Sequence, residues 1–245
     1  MMVALTALSV GLFAQSEIPV LRRSLPRDLS HHGCRHVQNV AANQGASSGQ
    51  ATDNFDMSAS LSRSDSFDVI HYGLELDVTA ASSLQITGVA TIEFETTESG
   101  AQNLWFDLKG SMEVDSLQLD GLGWGFDQVG DSIFVQAPTE GWVSQGPQEV
   151  TVHYHGQPRT DPYWGGLYLT GDYIYSLGIG LTSIPPNHGK AWYPCFDQFK
   201  ERAAYTYAIT SAGGKRFHGQ GNLVQTDSLG GDTLRRVFDM QQPIP

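Results

Sequence analysis

The sequence has few of the features that indicate a disulfide scaffold, a nucleic-acid-binding protein or a membrane protein. It contains two cysteines among 245 residues, and Cys34 and Cys195 lie in segments of very different character, so no disulfide framework is indicated. Fourteen basic residues stand against 26 acidic ones, a formal net charge of −12, which repels phosphate backbones and anionic lipid headgroups. We therefore expect no nucleic-acid binding. We also expect no membrane insertion, because the N-terminal apolar run is too short to cross a bilayer as a helix.

The sequence also lacks a common zinc-peptidase motif. None of its eight histidines is followed by glutamate, so H-E-x-x-H, in which two imidazoles one helical turn apart bind one zinc ion, is absent. The histidines of segment 31–36 surround Cys34 with no standard zinc spacing. His153 and His155 share one face of a predicted strand, but no third ligand is identifiable, which favours exposed polar positions over a metal site.

The N-terminus resembles an export signal. Residues 3–13 form an apolar run that ends at Ala14, a small residue before a polar one, as in the cleavage region of a secretory signal peptide. Residues 1–14 are therefore predicted to direct secretion or export to a periplasm. The usual basic region is missing, so a buried N-terminal strand or helix stays open as the alternative. Residues 15–64 are rich in small and polar residues without apolar periodicity, which predicts a disordered leader.

From Phe67 onward, apolar residues recur with the period of two that is typical of half-buried strands. Short strands are separated by turn residues, including a tight hairpin turn at Gly130 and Asp131, and no segment sustains a 3.6-residue apolar repeat. These patterns predict an all-β fold, an antiparallel sandwich or saddle-shaped sheet, as one domain over residues 65–245. The positions expected to face inward in the first two strands are Ile70, Tyr72, Leu74, Leu76, Val78, Leu84, Ile86, Ala90, Ile92 and Phe94.

One segment, residues 192–197, has a composition too unusual for a generic strand. It consists of Trp192, Tyr193, Pro194, Cys195, Phe196 and Asp197. Together with the strand that follows (202–210), the opening strand pair (71–78 and 86–94) and the Gly-Gly-Leu-Tyr turn at 165–168, it resembles the N-terminal β-domain of the aminopeptidase N family of zinc metallopeptidases. The resemblance covers about residues 65–245, and the order of these elements is more specific than any one of them.

This resemblance implies the non-catalytic N-terminal domain of a secreted zinc metallopeptidase. In that family a downstream domain carries zinc on H-E-x-x-H and hydrolyses peptides, so the present chain is expected to be inactive alone and to bind no cofactor, with zinc in the full-length parent. The expected partners are the missing catalytic domain of the same polypeptide and, in the parent, a peptide substrate. The signature residues are expected to be structural, with Cys195 a small buried apolar group.

Two places bear on substrate binding in the family. Residues 110–114, Gly-Ser-Met-Glu-Val, resemble the family's Gly-x-Met-Glu-Asn substrate loop, but they come early in the domain at the start of a predicted strand, so Glu113 is expected to be solvated. The positions that hold the substrate's α-amine in typical members correspond to Ser183 and Pro185, which supply no negative charge. Ordinary aminopeptidase specificity is therefore not implied.

Dense aromatic residues leave a second function open. Tyr163, Trp164 and Tyr175 are candidates for aromatics that face a cleft, because flat rings supply rigid contact area at low entropic cost. The alternative function is a stand-alone exported β-sandwich that binds carbohydrate or a protein through an aromatic face, while filling of the core explains the same residues without any ligand.

Overall fold

The computed structural model of the chain describes residues 57–80, 83, 85–143, 146–160, 165–170, 173–176 and 188–245. The chain divides into two compact units, and all of these residues belong to the second, Asn54–Pro245. The predicted signal peptide (1–14), residues 15–56 of the predicted leader and the histidines around Cys34 lie outside the described residues. So do Tyr163, Trp164, Ser183 and Pro185.

Strands form most of the described structure, as the period of two predicts. A helix, α1 (Met57–Ser66), comes first, and a short 3₁₀ helix (Gly189–Ala191) lies between the tenth and eleventh strands. Neither has the length and apolarity of a membrane span. The strands are β1 (Phe67–Asp77), β2 (Ile86–Thr96), β3 (Leu104–Asp107), β4 (Met112–Leu119), β5 (Leu122–Gly123), β6 (Phe126–Val129), β7 (Ser132–Val135), β8 (Gln148–Gly156), β9 (Tyr168–Thr170), β10 (Tyr173–Tyr175), β11 (Ala203–Ser211), β12 (Asn222–Gly230) and β13 (Thr233–Ile244).

The strands form one large sheet and two small ones. The large sheet has the order β12-β13-β11-β1-β2-β8-β4-β5, and the small sheets are β3-β7-β6 and β10-β9. The predicted all-β class is confirmed. The large sheet is mixed, however, because β1 and β11 run parallel while its other described pairs are antiparallel. A parallel pair needs a long crossover, and more than a hundred residues separate these two strands.

Most of the predicted strand faces are confirmed. Ile86, Ala90, Ile92 and Phe94 of β2 are buried, and the hairpin between β6 and β7 turns at Gly130, whose φ is 60°. Ile70 is only half-buried. A register shift between Val69 and His71 changes which residues face inward, so that Phe67 and Val69 are buried together with Tyr72, Leu74 and Leu76.

In the described structure, a hydrophobic core joins the inner face of the large sheet to β3 and β7 of the three-stranded small sheet. At its centre Trp142 contacts Phe67 and Phe94 edge-on, with ring centroids 6.0 and 5.7 Å away. Cys195 and Phe196 belong to the same core, so the signature segment is packed against the middle of the fold.

Helix α1 was not expected from the sequence. Residues 57–64 fall in the predicted leader, yet they form most of this ten-residue helix, and its Arg63 is buried. Its sequence, MSASLSRSDS, has no apolar stripe that would reveal an amphipathic helix.

Candidate functional site

The signature segment, residues 192–197, is held against the end of β3 by backbone hydrogen bonds. The N–H of Asp107 donates to the carbonyl of Cys195 at 2.8 Å, and the N–H of Cys195 donates to the carbonyl of Asp107 at 3.1 Å. The N–H of Lys109 donates to the carbonyl of Lys190 at 2.8 Å. The segment and the 3₁₀ helix before it therefore extend the hydrogen bonding of β3, and Pro194, Cys195, Phe196 and Asp197 are all buried.

Aromatic side chains connect this segment to the large sheet. The Tyr193 ring contacts Trp192 at a centroid distance of 4.5 Å and Tyr72 of β1 at 5.9 Å. Tyr72 also stacks on Tyr205 of β11 at 5.1 Å, and its hydroxyl accepts a hydrogen bond from the N–H of Phe196 at 3.0 Å. The two strands of the parallel pair thus supply the rings on which the signature segment rests.

Cys195 is buried in a way that suppresses nucleophilic chemistry. Burial raises the pKa of its thiol well above the usual value, and the nearby carboxylates Asp197 and Asp107 raise it further. A cysteine nucleophile needs the opposite, a lowered pKa and access to substrate. The side chain is 3% exposed, and its place in the core is that of a small apolar group.

The Asp197 carboxylate fixes the turn that precedes it. Its Oδ1 accepts a hydrogen bond from the N–H of Gly189 at 2.9 Å, and the ammonium group of Lys190 lies 3.5 Å from its Oδ2. The backbone N–H of Asp197 donates to Oδ2 of Asp107 at 3.1 Å. Burial raises the pKa of Asp197 to about 7, although Lys190 acts in the other direction.

Arg63 completes this buried ionic cluster from helix α1. Its Nη2 donates to Oδ2 of Asp107 at 2.8 Å, and its Nη1 donates to the carbonyl of Trp105 at 2.8 Å. Its guanidinium carbon lies over the rings of Phe196, 3.9 Å from the centroid, and Trp105, 4.6 Å from the centroid. Sequence reasoning missed Arg63, because a single arginine in a polar segment carries no local signal of burial.

Of the three aromatics predicted to face a cleft, Tyr175 lies among the described residues. Tyr175 of β10 stacks on Tyr168 of β9, with ring centroids 5.4 Å apart and planes 15° apart, so one face of its ring is covered. Tyr163 and Trp164 lie outside the described residues. Tyr173 on the same hairpin is 76% exposed.

The described residues do not fit a zinc site. Among them, no three histidine, cysteine, aspartate or glutamate side chains converge as metal ligands. His155 of β8 instead pairs with Asp115 of β4, with Nδ1 and Oδ1 2.9 Å apart, and the hydrogen bond that the Asp115 carboxylate accepts raises the pKa of His155. Glu113 faces solvent from β4, with its side chain 79% exposed, as the sequence predicts.

Comparisons with known proteins identify the fold. A two-domain M1 zinc metallopeptidase bound to L-tryptophan matches 74% of this chain with a TM-score of 0.65 and 21% identity, and 40% of that chain is covered. M1 zinc metallopeptidase from Deinococcus radiodurans matches 74% with a TM-score of 0.63 and 20% identity, again over 40% of its length. Aminopeptidase A from Legionella pneumophila in complex with aspartic acid matches 74% with a TM-score of 0.60 and 17% identity, over 20% of its length.

No protein-family model and no curated protein matches the sequence. At these identities the likeness to the solved structures is one of fold, and it confirms the fold that the signature segment and the strand order imply. The chain spans 40% of the length of the first two structures. The matched part of this chain therefore has the same fold as the covered 40% of these M1 zinc metallopeptidases.

Proposed function

We propose that this chain provides the non-catalytic N-terminal β-domain of a secreted zinc metallopeptidase of the aminopeptidase type. The observation that carries the proposal is the fold likeness, which includes 74% of this chain but 40% of the M1 zinc metallopeptidases. The remaining part of such a protein would supply zinc, bound by H-E-x-x-H, which polarises a peptide carbonyl and activates water. No residue of the present sequence forms that motif.

In this role the domain shapes one wall of the peptide cleft. The signature segment supports the proposal because its carboxylate and the carboxylate beside it are used internally: Asp197 binds the preceding turn, and Asp107 of β3 binds Arg63 and the N–H of Asp197. Such a segment holds the shape of a surface without acting on substrate itself. Because Ser183 and Pro185 supply no carboxylate to pair with a free α-amine, we propose that the parent does not select substrates through a charged partner at these positions.

The proposal is tested by assaying the purified chain and a longer product of the same gene. The 245-residue chain should contain no stoichiometric zinc and should not hydrolyse aminoacyl-coumarin or short peptide substrates. The gene should encode H-E-x-x-H downstream, and the longer product should bind zinc and cleave peptides. Zinc-dependent cleavage by the 245-residue chain, or the absence of that motif from the gene, would overturn the assignment.

A second candidate is a stand-alone exported β-sandwich that binds carbohydrate or a protein through aromatic side chains. The exposure of Tyr173, 76% at the tip of the hairpin of β9 and β10, favours it. Saturable glycan binding that is lost in Tyr173→Ala and Trp164→Ala, with folding retained, would support this function. Tyr207→Phe, which leaves the ring in its stack with Tyr205, is the matched control.

Export is proposed from the N-terminal sequence alone. A chain expressed in a secreting host should appear outside the cytoplasm with its mature N-terminus at Gln15, as N-terminal sequencing would detect. A cytoplasmic product that retains residues 1–14 would contradict this proposal without affecting the assignment of the domain.

A further inference from the structure

Arg63 is buried to an extent that arginine rarely reaches. Its side chain is 0% exposed, although α1 lies at the start of the folded unit and its sequence is mostly polar. Arginine is almost never fully buried unless it is paired, because removing its charge from water is costly. The surroundings of Arg63 must therefore compensate for the lost hydration, and their composition shows how they do so.

The groups around Arg63 match the chemistry of a guanidinium ion. Oδ2 of Asp107 and the carbonyl of Trp105 accept hydrogen bonds from two different nitrogens of the fork, each at 2.8 Å. The rings of Phe196 and Trp105 lie under the planar cation at 3.9 and 4.6 Å. Together, a carboxylate, a carbonyl and two aromatic faces bind a cation that is both charged and planar. An ammonium group has the charge but not the plane, so it fits these groups less well.

These groups are held in place by contacts that do not involve α1. Asp107 is fixed by its paired backbone hydrogen bonds with Cys195, and its Oδ2 also accepts the N–H of Asp197 at 3.1 Å. Phe196 packs on Phe106 at a centroid distance of 5.5 Å, and its N–H is held by the hydroxyl of Tyr72. The binding groups are thus positioned by β3, β1 and the signature segment.

We propose that Trp105, Asp107 and Phe196 form a guanidinium-binding site, which α1 fills in cis with Arg63. The Arg63 side chain then acts as a ligand within the chain and attaches α1 to the sheet. When Arg63 is removed, the site accepts a free alkylguanidinium or the arginine side chain of a peptide.

Helix α1 also has other described links near its C-terminal end. The ion pair of Asp65 with Lys200 and the hydrogen bond from the Thr97 hydroxyl to the Asp65 carbonyl are exposed. The N–H of Thr97 donates to the Ser66 carbonyl, and the Gln198 amide donates to the Ser64 hydroxyl in a half-buried place. Among these links, the pair of Arg63 with Asp107 is the most buried.

The test is chemical rescue of the full chain carrying Arg63→Ala. With the ionic strength held constant by NaCl in every measurement and for every variant, its Tm should fall below that of the wild type and rise again with methylguanidinium. The rise should be about 3–6 °C at ten times the dissociation constant. Methylammonium, which has the charge without the plane, and urea, which has the plane without the charge, should give no rise at equal concentrations. Trp105 should report binding through a saturable change in fluorescence.

Two further variants separate binding in this site from general effects of the additive. Arg235→Ala removes an arginine that pairs with Glu75 and Asp227 at 3.7 Å on the sheet surface, and it should show no methylguanidinium-dependent rise. Adding Asp107→Asn to Arg63→Ala should abolish the response. In the rescued Arg63→Ala protein, the amides of α1 should exchange hydrogen faster than in the wild type, because the free ligand fills the site without linking it to the helix.

If Arg63→Ala does not fold in buffer, the measurement becomes the yield of folded protein on refolding with methylguanidinium or methylammonium. A higher yield with methylguanidinium alone supports the site. Equal effects of the two cations, or a rise of the same size in Arg235→Ala, would overturn it.

Discussion

At the scale of single residues, the Asp197 carboxyl makes stability depend on pH. Burial raises its pKa to about 7 in the folded chain, whereas an exposed aspartate titrates near pH 4. The folded state therefore holds this proton more tightly, so its contribution to stability is full below about pH 4 and is lost as the pH rises through about 7. Between pH 5 and pH 8 the loss amounts to about 3 kcal/mol.

Replacing Asp197 by asparagine removes this titration while nearly keeping the shape of the side chain. We expect the free energy of unfolding of Asp197→Asn, measured by urea denaturation, to fall much less between pH 5 and pH 8 than that of the wild type. Asp131→Asn is the control, because the pKa of Asp131 is shifted in the opposite direction. Burial acts to raise the pKa of Asp131, but hydrogen bonds from Lys109 and the N–H of Gly110 lower it overall, so its contribution is lost in acid instead. If the free energy of unfolding of Asp197→Asn depended on pH as that of the wild type does, the raised pKa of Asp197 would be contradicted.

Gly88 illustrates a second residue-scale constraint, close approach across a strand pair. It lies opposite Tyr154 in the register of β2 and β8, and a Cβ at position 88 would lie 2.3 Å from Cζ of the Tyr154 ring. Tyr154 is fully buried, so its ring has little room to move. We expect Gly88→Ala to lower the free energy of unfolding by about 1–3 kcal/mol, the usual cost of overpacking.

Gly123→Ala provides the matched control for this substitution. Gly123 also lies in a strand, β5, but a Cβ there would meet nothing within 4 Å. Thermal or urea unfolding of both variants should therefore separate them clearly. Equal destabilisation would show that the loss of glycine, and not contact with Tyr154, determines the effect.

At the scale of elements, β12 differs from the central strands. Among the described strands it is the last one of the large sheet and pairs with β13 alone. It is exposed along almost its whole length, including Leu223, Val224 and Leu229. Strands with little burial open locally at low cost. In hydrogen-exchange mass spectrometry, Asn222–Gly230 should exchange much faster than Ile86–Thr96 of β2. Similar protection of the two strands would mean that β12 is covered in solution.

Secondary-structure elements also differ in how well the sequence predicts them. Alternation along β2 and β8 predicts their buried faces, because each strand keeps one side against the core over its full length. The phase of β1 changes at the irregularity between Val69 and His71, which a strict period of two cannot represent. The parallel pairing of β1 with β11 depends on residues far apart in the chain, and no local pattern encodes it.

The candidate site was predictable in part for a similar reason. The composition of residues 192–197 is unusual enough to single them out, and their burial follows from their aromatic and apolar character. Their ionic partners are not visible in this way. Arg63 and Asp107 meet Phe196 and Asp197 only through tertiary structure, and Asp107 and Asp197 are 90 residues apart in the chain.

At the scale of the whole molecule, the excess of acidic residues sets the response to salt. Fourteen basic and 26 acidic residues give a net charge of −12, so repulsion between like charges opposes the compact state. Surface ion pairs such as Arg235 with Glu75, 3.7 Å apart, act the other way but contribute little. Raising the ionic strength from about 0.01 to 0.15 M shortens the Debye length from roughly 30 to 8 Å and weakens both effects.

Because the repulsion involves the whole net charge, while salt screens the exposed ion pairs of the described residues more than the buried ones, we expect screening to stabilise the protein. The Tm at neutral pH should rise as NaCl increases from about 10 to 150 mM, within the range where screening dominates over specific salt effects. The Tm of Arg235→Ala should rise by a similar amount or slightly more, because this variant has lost an attraction that salt weakens. A Tm that falls over this range would show that favourable ion pairs outweigh the net charge in stabilising the fold.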